Sequence, residues 1–281
     1  MASLPWFAIF LAALAAISQA SRRLTLILLA IGYGLAFASG QLHPIALVPI
    51  TLLVGAGVLL QWNPSPLGKV LCNVVFVAIA VGLFQHWLPG FDNLRVIHAE
   101  RLTPDAAPYT MYLNFDKPLV AFWLMLACPW VQPKRSLSQR AIAAVVACAA
   151  TSAVCFSIAG WSGALAWAPK WPHFGWLWVL DNFLLVAFAE EALFRGYIQG
   201  GAARLTRAQP HAGWPALAAG AVLFGLAHYQ GGALLVLLAG LSGIGYGLAY
   251  RAGGLQSAML AHFGVNLVQF ALLTYPSIAR A

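Results

Sequence analysis

Acidic residues are scarce in this sequence. Only seven of its 281 residues are aspartate or glutamate, and charged residues of both signs make up 8% of the chain. A soluble globular domain usually contains about 25% charged residues. The hydrophobic residues, 62% of the total, fall in long runs separated by short polar breaks. This composition excludes an ordinary soluble domain and predicts an all-α fold, a polytopic bundle of transmembrane helices.

Motifs of several other protein classes are missing as well. The four cysteines lie in apolar runs without a C-x-x-C pair, which argues against a disulfide framework and against a cysteine metal site. H-E-x-x-H, the helix motif of common zinc proteases, is absent. No lysine or arginine precedes the first apolar run, so we expect that run to be a membrane helix and not a signal peptide.

The net charge of +8 raises the question of a nucleic-acid partner. The basic residues lie at the ends of apolar runs, however, where they determine topology, so we expect a lipid bilayer and no nucleic acid as partner. Nine of them fall in every second connection, which the positive-inside rule assigns to the cytoplasm: Arg22, Arg23, Lys69, Lys134, Arg135, Arg140, Arg204, Arg207 and Arg251. The other connections hold Arg95, Arg101, Lys117, Lys170 and Arg280.

A spanning helix needs about 17–25 apolar residues, and the sequence predicts eight to ten such spans. The candidate segments are 4–20, 24–40, 45–61, 70–88, 118–133, 141–160, 174–203, 214–229, 231–250 and 255–274. The loop 89–117 is the sizeable polar segment, and it is either a solvated connection or a lid over a site. The run 231–250 is rich in small residues and is predicted to be a packing helix without chemistry.

The most unusual stretch is Glu190-Glu191-x-x-x-Arg195, which places three charges in an apolar segment. A charge at the centre of a membrane helix costs about 2.5–3.5 kcal/mol and usually marks function. Glu191 and Arg195 are four residues apart, so they are expected to form an ion pair on one helix face. Glu190 points about 100° around the helix. The two carboxylates therefore have different environments, which predicts a structural role for Glu191 and a catalytic role for Glu190.

Two further motifs lie on separate apolar segments. They are Phe224-x-x-x-His228 and His262-x-x-x-Asn266. A single histidine on an apolar face is more often a satisfied core residue than a catalytic one. Two histidines and a carboxylate pair in one membrane protein need each other as partners, because the hydrocarbon supplies no water. The motifs are therefore predicted to meet.

These residue types allow a hydrolytic mechanism to be written. Glu190 and His228 hold and deprotonate a water molecule, which attacks an amide carbonyl. His262 and Asn266 donate hydrogen bonds, as two neutral donors, to the developing oxyanion. Glu190 then passes its proton to the leaving amine. No serine or cysteine nucleophile stands out near these residues. Two histidines and two glutamates are also suitable zinc ligands, so a zinc-dependent version stays open.

Together, the three motifs resemble those of the CPBP (Abi) family of intramembrane proteases, which includes the type II CAAX prenyl endopeptidases. The resemblance covers about 175–275 and implies an in-membrane cavity, with Glu190 and His228 activating water and His262 and Asn266 as oxyanion donors. It implies a mechanism without a metal cofactor, and a zinc-dependent mechanism is the alternative. It favours a division into N-terminal transmembrane helices (1–170) and a catalytic transmembrane core (171–281).

The resemblance leaves the substrate open between a prenylated CAAX protein, a membrane precursor peptide and a protein tail. We expect an intramembrane endopeptidase of the glutamate type that cleaves a membrane-associated protein or peptide, in the cytoplasmic membrane of a bacterium. A non-catalytic immunity or scaffold protein of the same fold is the alternative. A transporter with an intramembrane proton relay is a third possibility, but no internal repeat relates the two halves of the sequence.

Overall fold

The computed structural model describes residues 3–132, 135–206, 211 and 213–279. Lys134, Arg207 and Arg280, three of the basic residues used for topology, lie outside this part of the chain. The described residues form ten helical runs and one small sheet. The helices are α1 Leu4–Ile17, α2 Arg22–Ala38, α3 Leu47–Gln61, α4 Pro66–Phe84, α5 Lys117–Ala127, α6 Leu137–Trp161, α7 over 175–205, α8 Gly213–Ala227, α9 Gly232–Gly253 and α10 Leu255–Leu272. The fold is the predicted polytopic helical membrane fold.

Length and hydropathy separate the helices into groups. Five segments are long and apolar enough to cross a membrane, namely Pro44–Gln61, Pro66–Phe84, Leu137–Trp161, Tyr229–Gly253 and Leu255–Leu272. Helices α1, α5 and α8 are apolar but shorter. The predicted segment 118–133 is the largest discrepancy, since α5 has 11 residues and a length of only about 16 Å. Cys128, which precedes a proline, leaves the helical region at φ −122° and ψ 76°.

The polar loop contains a hairpin that the sequence did not predict. Strands β1 Leu94–Glu100 and β2 Tyr109–Leu113 form a two-stranded sheet. The turn between them pairs with the C-terminal segment, where Ala107 N donates to Ser277 O at 2.9 Å and Ala279 N donates to Asp105 O at 2.8 Å. The two alternatives for the loop, a solvated connection and a lid, stay open, and its backbone groups bond to residues about 170 positions away.

The chain divides into two compact units. The first comprises 1–94, 112–129 and 184–189, and the second comprises 95–111, 130–183 and 190–281. Aromatic residues fill the core of the first unit: Trp6 stacks on Phe115 with ring centroids 4.0 Å apart, and Phe76 stacks on Trp123 at 4.1 Å. The division predicted at residue 170 stays a prediction.

In the second unit, α9 packs against α8, α6 and α10, and α10 also packs against α6. Only Gly254 separates α9 from α10. Its φ of +81° lies in the left-handed region that side chains disfavour. Glycine at this position therefore permits the sharp reversal that brings α10 back along α9, and α10 carries His262 and Asn266.

Candidate active site

Helix α7, which carries the adjacent glutamates, is not a regular α-helix. It contains two π-helical segments, Asn182–Ala187 and Ala192–Gln199, on either side of the short α-helical piece Phe188–Glu191. π-Helical turns are rare and frequently occur at functional sites. The apolar run predicts a regular helix here, and the spacing of its charged residues does not predict the wider turns.

Glu191 lies at the centre of the site and is completely buried. Its Oε2 accepts a hydrogen bond from Nε of Arg195 at 3.0 Å, so the ion pair expected from the spacing is present. Its Oε1 accepts a second hydrogen bond, at 2.9 Å, from Nδ1 of His262 on α10. Glu191 therefore links two helices as well as balancing the charge of Arg195, and the residue spacing does not predict this second partner.

Arg195 is also completely buried. Its guanidinium carbon lies 4.8 Å from the centre of the Phe224 ring and 6.0 Å from that of Tyr246. Within the described residues, its Nη1 and Nη2 atoms have no hydrogen-bond partner. Ring faces attract a cation, and the attraction is stronger where water is excluded. The two aromatic rings thus supplement Glu191 in stabilising this buried charge.

His262 is held on several sides. Its ring is 4% exposed and stacks on Tyr246 with centroids 4.7 Å apart and an interplanar angle of 10°. The Phe224 ring packs against it edge to face, at 5.7 Å. A carboxylate only accepts hydrogen bonds, so the contact with Glu191 places a proton on Nδ1. A neutral His262 would then only accept at Nε2, and donation from Nε2 requires the imidazolium form.

Glu190 is the less buried of the two adjacent glutamates. Its side chain is 16% exposed, whereas that of Glu191 is 0% exposed. Its Oε2 lies 4.0 Å from Nε2 of His262. This separation is too long for a direct hydrogen bond, and a water molecule commonly bridges polar groups at such distances. The two carboxylates therefore do have different environments, as their spacing predicts.

His228 lies just after the last residue of α8. Its Nδ1 donates to the backbone carbonyl of Phe224 at 2.8 Å, which leaves Nε2 of the neutral ring as an acceptor. The His228 ring packs on the Phe224 ring at 4.8 Å. Phe224 thus contacts the rings of both histidines. Among the contacts of the described residues, none joins His228 directly to Glu190.

Asn266 has a partner that the sequence analysis did not identify. Its Nδ2 donates to Oδ1 of Asn182, at 3.3 Å. Asn182 is 7% exposed and is the first residue of the first π-helical segment. This hydrogen bond uses one of the two N–H groups of the Asn266 amide and leaves the other available.

Two other residues complete the surroundings. Tyr246, on the helix to which the sequence analysis assigned no chemistry, is 2% exposed and stacks on His262. Gln199, one turn beyond Arg195, is 2% exposed and donates from Nε2 to the backbone carbonyl of Gly247, at 3.0 Å. In the sequence, Tyr246 is an aromatic residue within a run of small residues, and Gln199 is an amide within an apolar segment. Neither pattern is specific for a functional residue.

The histidine and glutamate side chains of the site are possible metal ligands. No group of three or more histidine, cysteine, aspartate or glutamate side chains within the described residues converges in a way that suits one. Both oxygens of Glu191 are occupied, by Arg195 and by His262. A catalytic zinc site has three protein ligands around an open position. The side chains as arranged do not provide that set.

One segment of the chain is similar to a known protein family. Residues 169–268 match the family model described as type II CAAX prenyl endopeptidase Rce1-like. The matched segment contains all the predicted site residues, namely Glu190, Glu191, Arg195, Phe224, His228, His262 and Asn266. No curated protein and no solved structure matches the chain. Residues 169–268 therefore resemble the type II CAAX prenyl endopeptidase Rce1-like proteases, as the three motifs predict, and the helices that are long and apolar enough to cross a membrane indicate an integral membrane protein.

Proposed function

We propose that this protein is an intramembrane endopeptidase that hydrolyses a peptide bond of a membrane-associated protein or peptide. One observation carries the proposal. A partly accessible carboxylate, Glu190, lies 4.0 Å from the imidazole of His262, and a buried carboxylate, Glu191, fixes the position of that imidazole. General acid–base catalysis needs a side chain that can exchange a proton with the reacting group, and a partly accessible carboxylate beside an oriented imidazole is suited to that role.

Glu190 and His228 activate the water molecule in this proposal. Glu190 retains some solvent access, so it can reach water that enters from the surface. His228 donates from Nδ1 to Phe224 O, so Nε2 of its neutral ring presents a lone pair that can accept a hydrogen bond from water. Glu190 removes the proton as the water attacks the carbonyl carbon and later delivers it to the leaving amine.

His262 and Asn266 stabilise the tetrahedral oxyanion, and the geometry changes the expected charge of His262. The sequence analysis treated both residues as neutral donors. Because Nδ1 donates to Glu191, His262 must be an imidazolium to donate from Nε2 as well.

We further propose that the reaction needs no metal ion. The engagement of both Glu191 oxygens supports this proposal, because it removes one of the four side chains from which a zinc site would be built. The substrate reaches the site from the bilayer, and no nucleic acid takes part. We also propose that the protein lies in the cytoplasmic membrane of a bacterium.

The function is tested with the purified full-length chain in liposomes. Two labelled substrates are compared, a prenylated peptide ending in a CAAX sequence and a transmembrane peptide without a lipid, and mass spectrometry identifies the products. We expect a defined internal cleavage in at least one of them. Absence of cleavage in both, and in a proteome-wide comparison of membranes with and without the protein, would favour the non-catalytic scaffold.

Exhaustive chelation should leave the cleavage rate unchanged within about twofold, because the proposed water is activated by a carboxylate and an imidazole. The rate is measured before and after treatment with a strong zinc chelator, and the metal content is measured by elemental analysis. A zinc protease assayed in parallel controls for effective chelation. Loss of activity that is restored by added zinc would contradict the proposal.

A further inference from the structure

A cavity outside the family-matched segment lies within the first unit. Its volume is about 410 Å³, and α2, α3 and α5 form its walls. None of the sequence motifs falls on these helices. We call this cavity the α2–α3–α5 groove. None of its lining residues belongs to the proposed catalytic site, so any ligand it binds need not be a substrate.

The wall of the groove is almost entirely hydrocarbon. Leucine, isoleucine, valine and alanine side chains line most of it. Tyr33 and Trp123 are the lining aromatic residues that have a polar side-chain atom, and both atoms donate hydrogen bonds to the backbone. Tyr33 Oη donates to Phe115 O at 2.6 Å, and Trp123 Nε1 donates to Leu53 O at 2.6 Å. The wall therefore presents little that can hydrogen-bond to a ligand, which suits an alkyl chain.

One end of the groove is charged. Arg22, the first residue of α2, is exposed and lines the groove at this end. Its Nη2 donates to Oε1 of Gln61, the last residue of α3, at 2.7 Å. Gln61 in turn donates from Nε2 to Gly57 O at 3.2 Å. The guanidinium is thus held at the mouth of the groove, and its remaining N–H groups are suited to a phosphate.

The length of the groove matches one leaflet of a bilayer. Its lining on α2 extends from Arg22 to Tyr33, about 16 Å at ~1.5 Å per residue. The hydrocarbon core of a bilayer is ~30 Å thick, so one leaflet contributes about 15 Å. A lipid with its phosphate at Arg22 would extend one acyl chain along the whole groove. Arg22 also belongs to the connections predicted to be cytoplasmic, where anionic lipids are found.

We propose that the α2–α3–α5 groove binds one anionic phospholipid, with its phosphate at Arg22 and one acyl chain between the three helices. The lipid would fill the α2–α3–α5 groove of the first unit, and its headgroup would connect the start of α2 with the end of α3. Glycerol phosphate, which has no acyl chains, should not compete with the phospholipid for the groove, because the contact area is between the acyl chain and the hydrocarbon wall.

The test uses delipidated full-length protein in neutral detergent micelles, titrated with phosphatidylglycerol or phosphatidylcholine, with native mass spectrometry as the readout. We expect phosphatidylglycerol to bind about tenfold more tightly than phosphatidylcholine. Arg22→Gln should remove that preference, since a charge-assisted hydrogen bond of this kind is worth about a factor of ten. Arg23→Gln, an equal charge change at the neighbouring exposed residue, should alter binding by less than twofold.

A second pair of variants tests whether the groove binds the acyl chain of the lipid. Ala30 lines the groove, whereas Ile27 is exposed on the same helix and is not part of the lining. Ala30→Trp should reduce phosphatidylglycerol binding at least tenfold, and Ile27→Trp should not. Equal effects of Arg22→Gln and Arg23→Gln, equal affinity for the two lipids, or unimpaired binding by Ala30→Trp would each overturn the proposal. A thermal unfolding midpoint for every variant confirms that it is folded.

Discussion

Replacing Arg195 with methionine should lower the free energy of unfolding by about 3–5 kcal/mol, the range found when one partner of a buried ion pair is removed. Glu191 and Arg195 are both completely buried. Without the guanidinium, the Glu191 carboxylate keeps only its hydrogen bond to His262. Methionine fills much of the volume of the arginine side chain next to Phe224. The decrease in the free energy of unfolding therefore reflects mainly the loss of the positive charge. Denaturant titration in mixed micelles measures it.

A second variant separates charge from packing. In the double variant Glu191→Gln with Arg195→Met, no buried carboxylate is left unpaired, so the protein should recover part of the lost stability. A greater loss in the double variant than in Arg195→Met would show that the ion pair does not explain the effect. A single variant as stable as the parent would contradict the structural role of the pair.

Glu190→Gln should reduce the cleavage rate by about 10²–10⁴-fold, the usual contribution of a general acid or base. Glutamine keeps the size and hydrogen-bonding shape of the side chain but cannot accept the proton from water. Because Glu190 is partly exposed and its nearest described partner lies 4.0 Å away, the variant should fold normally. Cleavage of the labelled peptide in liposomes gives the rate, and the thermal unfolding midpoint confirms the fold.

Glu100→Gln is the matched control for this variant. Glu100 is the one other glutamate besides the adjacent pair and is the last residue of β1. The same substitution there should leave the cleavage rate within about twofold of the parent. If Glu190→Gln cleaves as fast as Glu100→Gln, Glu190 does not activate the water.

The helical membrane fold was predictable because apolar length is a strong signal in a bilayer. The missed features depend on contacts that composition does not encode. The β1–β2 hairpin lies in a polar loop, and the turn between its strands pairs with residues near Ser277. Helix α5 was predicted too long because hydropathy continues beyond Ala127, whereas the backbone leaves the helix at Cys128.

The same distinction holds in the candidate site. The pair Glu191–Arg195 was predictable because it is local, four residues apart on one helix. The bond between Glu191 and His262 was not, because the two residues are 71 positions apart and the π-helical segments of α7 change the angles between its side chains. Asn182 and Tyr246 have no motif of their own, and only the packing of α7, α9 and α10 reveals them.

The central claim is that side chains from separate helices act on one water molecule, and a double-variant cycle tests it most directly. The cleavage rates of Glu190→Gln, His228→Asn and the combined variant are compared in one liposome assay. Residues that act as a unit have strongly non-additive effects, so we expect the combined variant to be no more than about tenfold slower than the slower single variant. Losses that multiply would contradict a shared water molecule.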